Sequence, residues 1–301
     1  MIKIFSGSSN RSLALQIAKK LNTNLSELEE YVFPDGEKRI RVLERVVDED
    51  TFIVQSTATP TDQNYMELFF IIDALKRSGA KSVAAIIPYL GYQRQDHIFR
   101  SGEAVSLQVV IKTLEATGLT RVIIFDLHSI KTPELFSIPV NHLSAVSIFA
   151  QKIKEEGWDK ADTVLVAPDA GGARRTKIVA NLLGNLNIAT IIKNRDLKTG
   201  KVTVEDIKGK ILPRVIIIDD MISTGGTIIS GANVLQEKGA RDIIVFATHA
   251  VFSKEAPTLL EESNINKIFV TDTINLPKEK QFSKLQVLSV ADMIVQQIQN
   301  L

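Results

Sequence analysis

The chain alternates short, continuous apolar runs with longer segments in which apolar residues recur at helical spacing. The short runs are rich in β-branched residues and predict strands buried on both faces, as in parallel sheets. The longer segments predict amphipathic helices that cover those faces. The candidate strands are Ile2–Phe5, Thr51–Gln55, Ser82–Ile87, Val122–Phe125, Thr163–Val166, Ala189–Ile192, Val215–Ile218, Ile243–Ala247 and Lys267–Val270.

Two of the helices are well marked. Leu13 and Ile17 fall on one stripe of a helix predicted over Asn10–Leu21, and Asn10 is its predicted N-cap. A second helix is predicted over Met66–Arg77, with Gly79 just past its end as a stop signal.

One supersecondary unit recurs along the chain. A helix ends at a glycine, a basic residue follows and an apolar strand begins, in residues 78–87, 117–125 and 238–247. Repetition of strand, helix and strand predicts a mostly parallel sheet with helices on both faces. We therefore predict an α/β protein with two tandem doubly wound sheets. Counting strands places the domains at 1–147 and 148–286, with a final helix at 287–301 that can pack back on the first domain.

Composition narrows the class of protein. The 301 residues are 45% apolar and 24% charged, which is typical of globular domains. The formal net charge of +1 argues against a nucleic-acid partner. The absence of cysteine excludes disulfides and thiolate chemistry. No apolar run approaches the ~18 residues of a membrane helix, and the N-terminus lacks the apolar core of a signal peptide. We expect a cytoplasmic protein without a membrane partner.

The strongest chemical signal lies in residues 213–228. The predicted strand Val215–Ile218 runs into Asp219 and Asp220, and the small-residue loop Ser223–Thr227 then leads into a helix. Glycines and a helix N-terminus suit a phosphate group, while carboxylates suit sugar hydroxyls or the water shell of magnesium. An ordinary strand-to-helix turn is disfavoured, because adjacent aspartates at a buried strand end are costly without partners. The segment predicts a ribose 5-phosphate site.

Five further loops carry polar residues at or near predicted strand ends, where doubly wound sheets bind ligands. Taken alone, these loops are also explained by a tight turn, a solvated loop or a structural histidine. A second small-residue loop and a pair of cations nevertheless suit phosphate groups. These loops are Tyr31–Glu37, Pro88–Asp96, Asp126–His128, Pro168–Gly172 and Lys193–Arg195.

Taken together, these motifs resemble those of the ribose-phosphate pyrophosphokinase family, in the same order and over essentially the whole chain. They are SGxxN at 6–10, FPDGE at 33–37, PYxGYxRQD at 88–96, DLH at 126–128, PDxGG at 168–172, KxR at 193–195, DDxxSTGGT at 219–227 and TH at 248–249. The 219–227 segment alone also resembles type I phosphoribosyltransferases. The resemblance implies two domains of the phosphoribosyltransferase type.

The resemblance also implies an activity, that of a ribose-phosphate diphosphokinase serving nucleotide biosynthesis. Such an enzyme transfers the β,γ-diphosphoryl group of ATP to the C1 hydroxyl of ribose 5-phosphate, with Mg²⁺ as cofactor, and releases AMP. The implied ATP-binding residues are Phe33, Asp35, Gly36, Glu37, Arg94, Gln95 and Asp96. The implied magnesium ligands are His128 and Asp169. The implied ribose 5-phosphate residues are Arg195, Asp219, Asp220, Ser223, Thr224, Gly225, Gly226 and Thr227.

Lys193 and Arg195 are the implied catalytic residues, which stabilise negative charge during transfer. In the family, the 33–37 loop reaches ATP across a subunit interface, so the resemblance implies at least a homodimer, with a hexamer as the larger assembly. Two alternatives stay open. One is a phosphoribosyltransferase that consumes phosphoribosyl pyrophosphate, and the other is a non-catalytic regulatory homologue. Residues 97–103 form a shorter segment than the basic loop of common bacterial and animal members, so regulation by phosphate or ADP is not inferred.

Overall fold

The computed structural model describes the backbone of residues 2–195 and 202–301, and the side chains of residues 2–193 and 204–301. The strands, in chain order, are β1 (Ile2–Ser6), β2 (Leu28–Val32), β3 (Lys38–Val42), β4 (Asp50–Val54), β5 (Ser82–Ile87), β6 (Arg121–Phe125), β7 (Val140–Leu143), β8 (Thr163–Ala167), β9 (Asn187–Arg195), β10 (Val202–Lys208), β11 (Arg214–Ile222), β12 (Asp242–Ala250), β13 (Lys267–Thr271) and β14 (Leu285–Leu288).

The helices are α1 (Arg11–Lys20), α2 (Thr61–Arg77), α3 (Ser106–Ala116), α4 (Val146–Glu155), α5 (Ala173–Leu182), α6 (Gly226–Glu237), α7 (Ala256–Glu262) and α8 (Ala291–Gln299). Short 3₁₀ turns lie at Thr132–Leu135 and Lys278–Lys280. None of these described helices is both long and apolar enough to cross a membrane.

The chain forms two compact units. The first comprises Met1–Leu143, Thr273–Asn275 and Ser289–Leu301, and the second comprises Ser144–Asp272 and Leu276–Leu288. The first unit therefore contains α8, which packs against α1.

The first unit is built on a parallel sheet in the order β1-β4-β5-β6-β7. Residues of β4, β5 and β6 are almost completely buried, which explains why their sequences are continuously apolar. Strands β2 and β3 form a separate antiparallel hairpin with many exposed side chains. A core of aliphatic side chains fills the space between the sheet, α2 and α3.

The second unit is built on a seven-stranded sheet in the order β10-β9-β8-β11-β12-β13-β14. All of its pairs are parallel except β9 with β10. Two apolar clusters cover its two faces, one under α6 and α7 and the other under α4 and α5. The predicted α/β fold with two doubly wound, mostly parallel sheets is thus confirmed.

Three local features differ from the sequence expectations. Asn10 occupies the predicted N-cap position of α1, but its side chain makes no capping bond and donates to the carbonyl of Thr273 at 3.4 Å. Strand β11 continues to Ile222, so the two aspartates lie in the strand and not after it. The hairpin and the edge strands β7, β10 and β14 carry too few consecutive apolar residues to be found from pattern alone.

Candidate functional site

The second unit contains a crevice at the carboxyl edge of its sheet. After β8 the chain moves to β9 and β10 on one side, and after β11 it moves to β12, β13 and β14 on the other side. Such a reversal between neighbouring parallel strands opens a crevice at their carboxyl ends, and ligands of doubly wound proteins bind there. The predicted loops that follow β8 and β11 both lie at this edge.

Asp219 and Asp220 lie where β11 leaves one of its neighbours. Strand β11 pairs with β8 only as far as Ile217, but it pairs with β12 as far as Ile222. The backbone N–H of Asp220 donates to Oδ1 of Asp219 at 2.8 Å, and the N–H of Met221 donates to Oδ1 of Asp220 at 2.9 Å. These bonds orient both carboxylates at the end of the strand.

The acidic groups around Asp219 oppose its ionisation. Burial raises the pKa of Asp219 well above its usual value, and the charges of Asp220 and Asp169 raise it further. A cation or a set of hydroxyl donors would relieve this repulsion. Carboxylate oxygens are the ligands that Mg²⁺ prefers, usually one or two of them with water and phosphate oxygens. Asp169, Asp219 and Asp220 supply oxygen donors of that kind, and their charges act on one another.

The loop Ser223–Thr227 connects β11 to α6 in a conformation that only glycine adopts easily. Gly225 has φ +79°, and the helix begins at Gly226. The hydroxyls of Ser223 and Ser253 lie 2.9 Å apart, and the N–H of Ser253 donates to the carbonyl of Ser223 at 3.0 Å. The loop is thus held at its base, while Thr224, Gly226 and Thr227 are exposed at the helix N-terminus. This arrangement suits a phosphate group.

The ammonium group of Lys193 is largely buried and has an ion pair but no hydrogen bond within the described residues. Its side chain is only 11% exposed, and its nearest carboxylate oxygen is Oδ2 of Asp169 at 3.7 Å. Its Nζ makes no hydrogen bond with any residue that the structure describes. The lysine lines a cavity of about 280 Å³, whose other lining residues are Val204, Thr224, Gly226, Thr227 and Ser230.

Asp169 begins the loop between β8 and α5. Its Oδ1 accepts a hydrogen bond from the N–H of Gly172 at 2.9 Å, and about half of its side chain remains exposed. Arg195 lies at the end of β9, where its backbone pairs with Val202. The side chain of Arg195 lies outside the described residues, so its predicted role is not tested.

In the first unit, the predicted adenine-binding residues form the tip of the β2–β3 hairpin. The N–H of Phe33 donates to the carbonyl of Glu37 at 2.8 Å, and Gly36 turns the chain with φ +91°. The carboxylate of Asp35 accepts the N–H of Glu37 at 3.2 Å. Phe33 is exposed and meets Tyr31 edge to face at 5.0 Å. The tip presents an aromatic face beside two carboxyl groups.

The predicted phosphate-binding residues follow β5, and His128 follows the adjacent strand β6. Arg94, Gln95 and His128 are exposed. Asp96 is engaged locally, since its Oδ1 lies 2.6 Å from Nδ1 of His97. The structure brings the loops after β5 and β6 together within the first unit, and it brings Lys193, Asp169, the two aspartates and the 223–227 loop together within the second.

The first unit also has a crevice after β1 and β4, with a cavity of about 210 Å³. Here the N–H and hydroxyl of Ser8 donate to the buried carboxylate of Glu67 at 2.6 and 2.5 Å. Lys38 bonds to Glu30 at 2.5 Å and approaches Glu67 at 3.4 Å. Burial acts to lower the pKa of Lys38, but these two glutamates outweigh it, so the pKa is raised.

Sequence reasoning missed several residues of these sites. Ser230 lies one helical turn after Thr227 and could have been found from that spacing. Ser253 and Val204 reach the second unit's site from other strands and loops, which no local pattern reveals. Gln93 stands inside a recognised motif, but only the structure shows that it is buried against the backbone of His128.

Two family models match the chain. Residues 2–118 match the N-terminal domain of ribose phosphate pyrophosphokinase, and residues 192–301 match the phosphoribosyl synthetase-associated domain.

Relatives that align with nearly the whole chain are named ribose-phosphate pyrophosphokinase. A ribose-phosphate pyrophosphokinase of Fusobacterium nucleatum is 40% identical over 292 residues, which cover 96% of this chain and 91% of that protein. One of Thermotoga maritima is 40% identical over 298 residues, covering 97% of this chain and 92% of its own length. Among solved structures, phosphoribosylpyrophosphate synthetase from Mycobacterium smegmatis aligns with a TM-score of 0.92 and 35% identity, over 99% of this chain and 97% of that one.

Proposed function

This chain belongs to the ribose-phosphate pyrophosphokinase family and is therefore an enzyme; on that premise we propose that it transfers the β,γ-diphosphoryl group of ATP to the C1 hydroxyl of ribose 5-phosphate. The products are 5-phosphoribosyl 1-diphosphate and AMP. We assign ATP to the first domain (1–147) and ribose 5-phosphate to the second (148–286), and we expect at least a homodimer.

The observation that carries this proposal is the ammonium group of Lys193, which makes no hydrogen bond with any described residue and only a 3.7 Å ion pair with Asp169, in a cavity lined by a phosphate-type loop. A buried ammonium group without a hydrogen-bond acceptor lowers stability. Such a group is retained where an anionic ligand or transition state provides the acceptor. The adjoining loop at Thr224–Thr227 supports an anion at the same place.

Each part of the second unit's crevice then has a role. The loop Ser223–Thr227 and the N-terminus of α6 bind the 5-phosphate. Asp219 and Asp220 accept hydrogen bonds from the ribose hydroxyls, which orients the C1 hydroxyl for attack. Lys193, with Arg195, stabilises the negative charge that accumulates on the transferred group. We assign no general base, since the C1 hydroxyl of a sugar is comparatively acidic.

The first unit supplies the nucleotide-binding residues. Phe33 stacks on adenine, while Asp35, Gly36 and Glu37 contact its edge. Arg94 and Gln95 bind the phosphates, with Asp96 beside them. His128 and Asp169 would hold Mg²⁺, and the second unit's aspartates provide further carboxylate oxygens of the type it prefers. When bound, the cation neutralises phosphate charge and orients the phosphate oxygens.

The test is phosphorus NMR of the purified protein with ATP, Mg²⁺ and ribose 5-phosphate. We expect AMP and a C1-diphosphate sugar to appear in equal amounts. ADP with a singly phosphorylated sugar would contradict diphosphoryl transfer. Absence of turnover, with binding of both substrates, would point to a regulatory homologue. Absence of turnover with ready binding of phosphoribosyl pyrophosphate and a nucleobase would point to a phosphoribosyltransferase.

A further inference from the structure

Gln93 links two loops of the first unit that the proposed function assigns to ATP and Mg²⁺. It lies in the segment after β5, and its side chain is only 1% exposed. Its Oε1 accepts a hydrogen bond from the backbone N–H of His128, after β6, at 2.9 Å. A side chain of one strand-end loop therefore fixes the backbone of the other.

The amide nitrogen of Gln93 donates no hydrogen bond to any described residue. With Oε1 facing the N–H of His128, the amide orientation is determined, and Nε2 has no hydrogen-bond partner among the described residues although it is buried. Buried donors without acceptors lower stability. An apolar side chain of similar volume would avoid that penalty, but it would leave the N–H of His128 without this acceptor. The remaining contribution of the amide is its bond to His128.

The segment that contains His128 is held at three successive backbone N–H groups. The N–H of Asp126 donates to the carbonyl of Leu143 at 3.0 Å, the N–H of Leu127 to Nε2 of His142 at 3.1 Å, and the N–H of His128 to Gln93. Asp126 adopts φ +29°, a value that residues other than glycine rarely take. The backbone is thus fixed while the side chain of His128 stays exposed.

We propose that Gln93 is a positioning residue, which fixes the His128 backbone and thereby sets the part of ATP affinity that depends on Mg²⁺. The proposal rests on the proposed function, which makes His128 a magnesium ligand. Partners that orient a metal ligand commonly change metal affinity or activity by about 10- to 100-fold when they are removed. Gln93 acts through the backbone and not through the imidazole, so its effect depends on the Oε1 acceptor alone.

The first experiment measures amide hydrogen exchange of His128 in the full-length protein, without substrates. We expect a protected His128 amide in the wild type, and about tenfold faster exchange in Gln93→Met, which matches the volume but removes the acceptor. Gln93→Glu keeps an oxygen at the same position and should retain the protection. Exchange of this amide in the wild type at the rate of an unstructured peptide would overturn the proposal, whatever the variants do.

The second experiment compares ATP binding with and without Mg²⁺ by calorimetry. The ratio is the dissociation constant without Mg²⁺ divided by the dissociation constant with Mg²⁺. It should fall about 10- to 100-fold in Gln93→Met and stay within about twofold of the wild type in Gln93→Glu. Any weakening of ATP binding that is equal with and without Mg²⁺ cancels in this ratio. The matched control is Thr163→Val, because Thr163 also carries a buried polar atom without a described partner, but lies at the opposite, amino end of β8.

The outcomes separate this inference from the proposed function. A magnesium-dependent wild type with an unchanged ratio in Gln93→Met overturns the role of Gln93 alone. An equal loss of ribose 5-phosphate affinity in that variant indicates general damage and also overturns it. A wild type whose ATP affinity does not depend on Mg²⁺ overturns the magnesium assignment of the proposed function, and this inference with it.

Discussion

The two units carry crevices at corresponding places, one after β1 and β4 and the other after β8 and β11, yet their polar groups are satisfied differently. In the first unit, the donors of Ser8 meet the buried carboxylate of Glu67, which also pairs with Lys38. In the second, Nζ of Lys193 has no hydrogen bond within the described residues, and the pKa of Asp219 is raised by burial and by its acidic neighbours.

Under the proposed function, this difference distinguishes a structural crevice in the first unit from a ligand site in the second. Where the chain supplies its own anion, the polar groups contribute to stability. Where the described residues supply no hydrogen-bond acceptor, the same kind of group reduces stability and is available to a ligand. Location at a strand end alone does not distinguish the two cases. The two cases are distinguished by whether each buried polar group has a hydrogen-bond partner.

The largest effect is expected from replacing the cation of the second crevice. Lys193→Met should reduce kcat by about 10³-fold, because it removes charge stabilisation in the transition state. It should leave the melting temperature unchanged or higher, because the ammonium group is buried without a hydrogen bond to any described residue. The matched control is Lys38→Met in the first crevice, which should lower the melting temperature with less than about tenfold loss of kcat. Equal loss of stability in both variants would contradict the comparison.

Asp219→Asn should also separate activity from stability. We expect about 100-fold lower turnover, because a charge-assisted bond to the sugar is lost, and about 1 kcal/mol higher unfolding free energy at neutral pH. The pKa of Asp219 lies above its unfolded value of 3.8, so the stability of the protonated form is lost as pH rises through the folded pKa. The gain in the variant should therefore shrink towards zero in acid.

Urea unfolding at several pH values, in parallel with turnover assays, checks this prediction. Asp242→Asn is a suitable control, because Asp242 lies at the amino end of β12 and pairs with Arg214 at 2.8 Å. That variant should lose a little stability and keep its turnover. A gain in Asp219→Asn that is the same at every pH would refute the electrostatic explanation.

Glu67→Gln tests the internal anion of the first crevice. The change weakens the bonds from Ser8 and leaves Lys38 with a single carboxylate partner, so we expect about 1–3 kcal/mol lower unfolding free energy. Denaturant titration measures the loss. The KM for ribose 5-phosphate should not change, and a marked increase in that KM would show that the two crevices are not functionally distinct.

The smallest effect is expected at the base of the phosphate-type loop. Ser223→Ala removes one hydroxyl bond to Ser253, which is worth about 0.5–1.5 kcal/mol. We expect the KM for ribose 5-phosphate to rise up to about tenfold, with kcat nearly unchanged. Ser253→Ala removes the same bond from the other side and should reproduce the effect in steady-state kinetics. If only one of the two variants is affected, the hydroxyl pair is not what holds the loop.

The sequence predicted most of the buried strands, because a strand covered on both faces must be continuously apolar. It also predicts a ligand site at the 219–227 segment, because adjacent aspartates followed by a glycine-rich loop are rarely tolerated at a buried strand end without a ligand to bind. It missed β7 and β14, which lie at the edges of their sheets. Asn10 takes the predicted N-cap position, but its side-chain bond to a carbonyl distant in sequence could not be predicted from local pattern.

The candidate site was predictable only as far as its parts are contiguous in sequence. Gln93 and Ser253 act through partners 35 and 30 residues away, and no periodicity encodes such contacts. Whether a buried polar group has a partner is likewise a property of packing. The contrast between Lys38 and Lys193 could therefore be stated only from the structure.

The composition of the first unit has a consequence for how the protein is made. Helix α8 buries Ile294 and Ile298, packs on α1, and Lys20 bonds to Asp292 at 2.5 Å. Lys20 of α1 therefore bonds to a residue of α8 that is synthesised 272 positions later. During synthesis, the second unit has all of its described strands before the first has its α8 helix. The domain that begins first is completed last, and a chain released before α8 leaves the apolar side of α1 exposed.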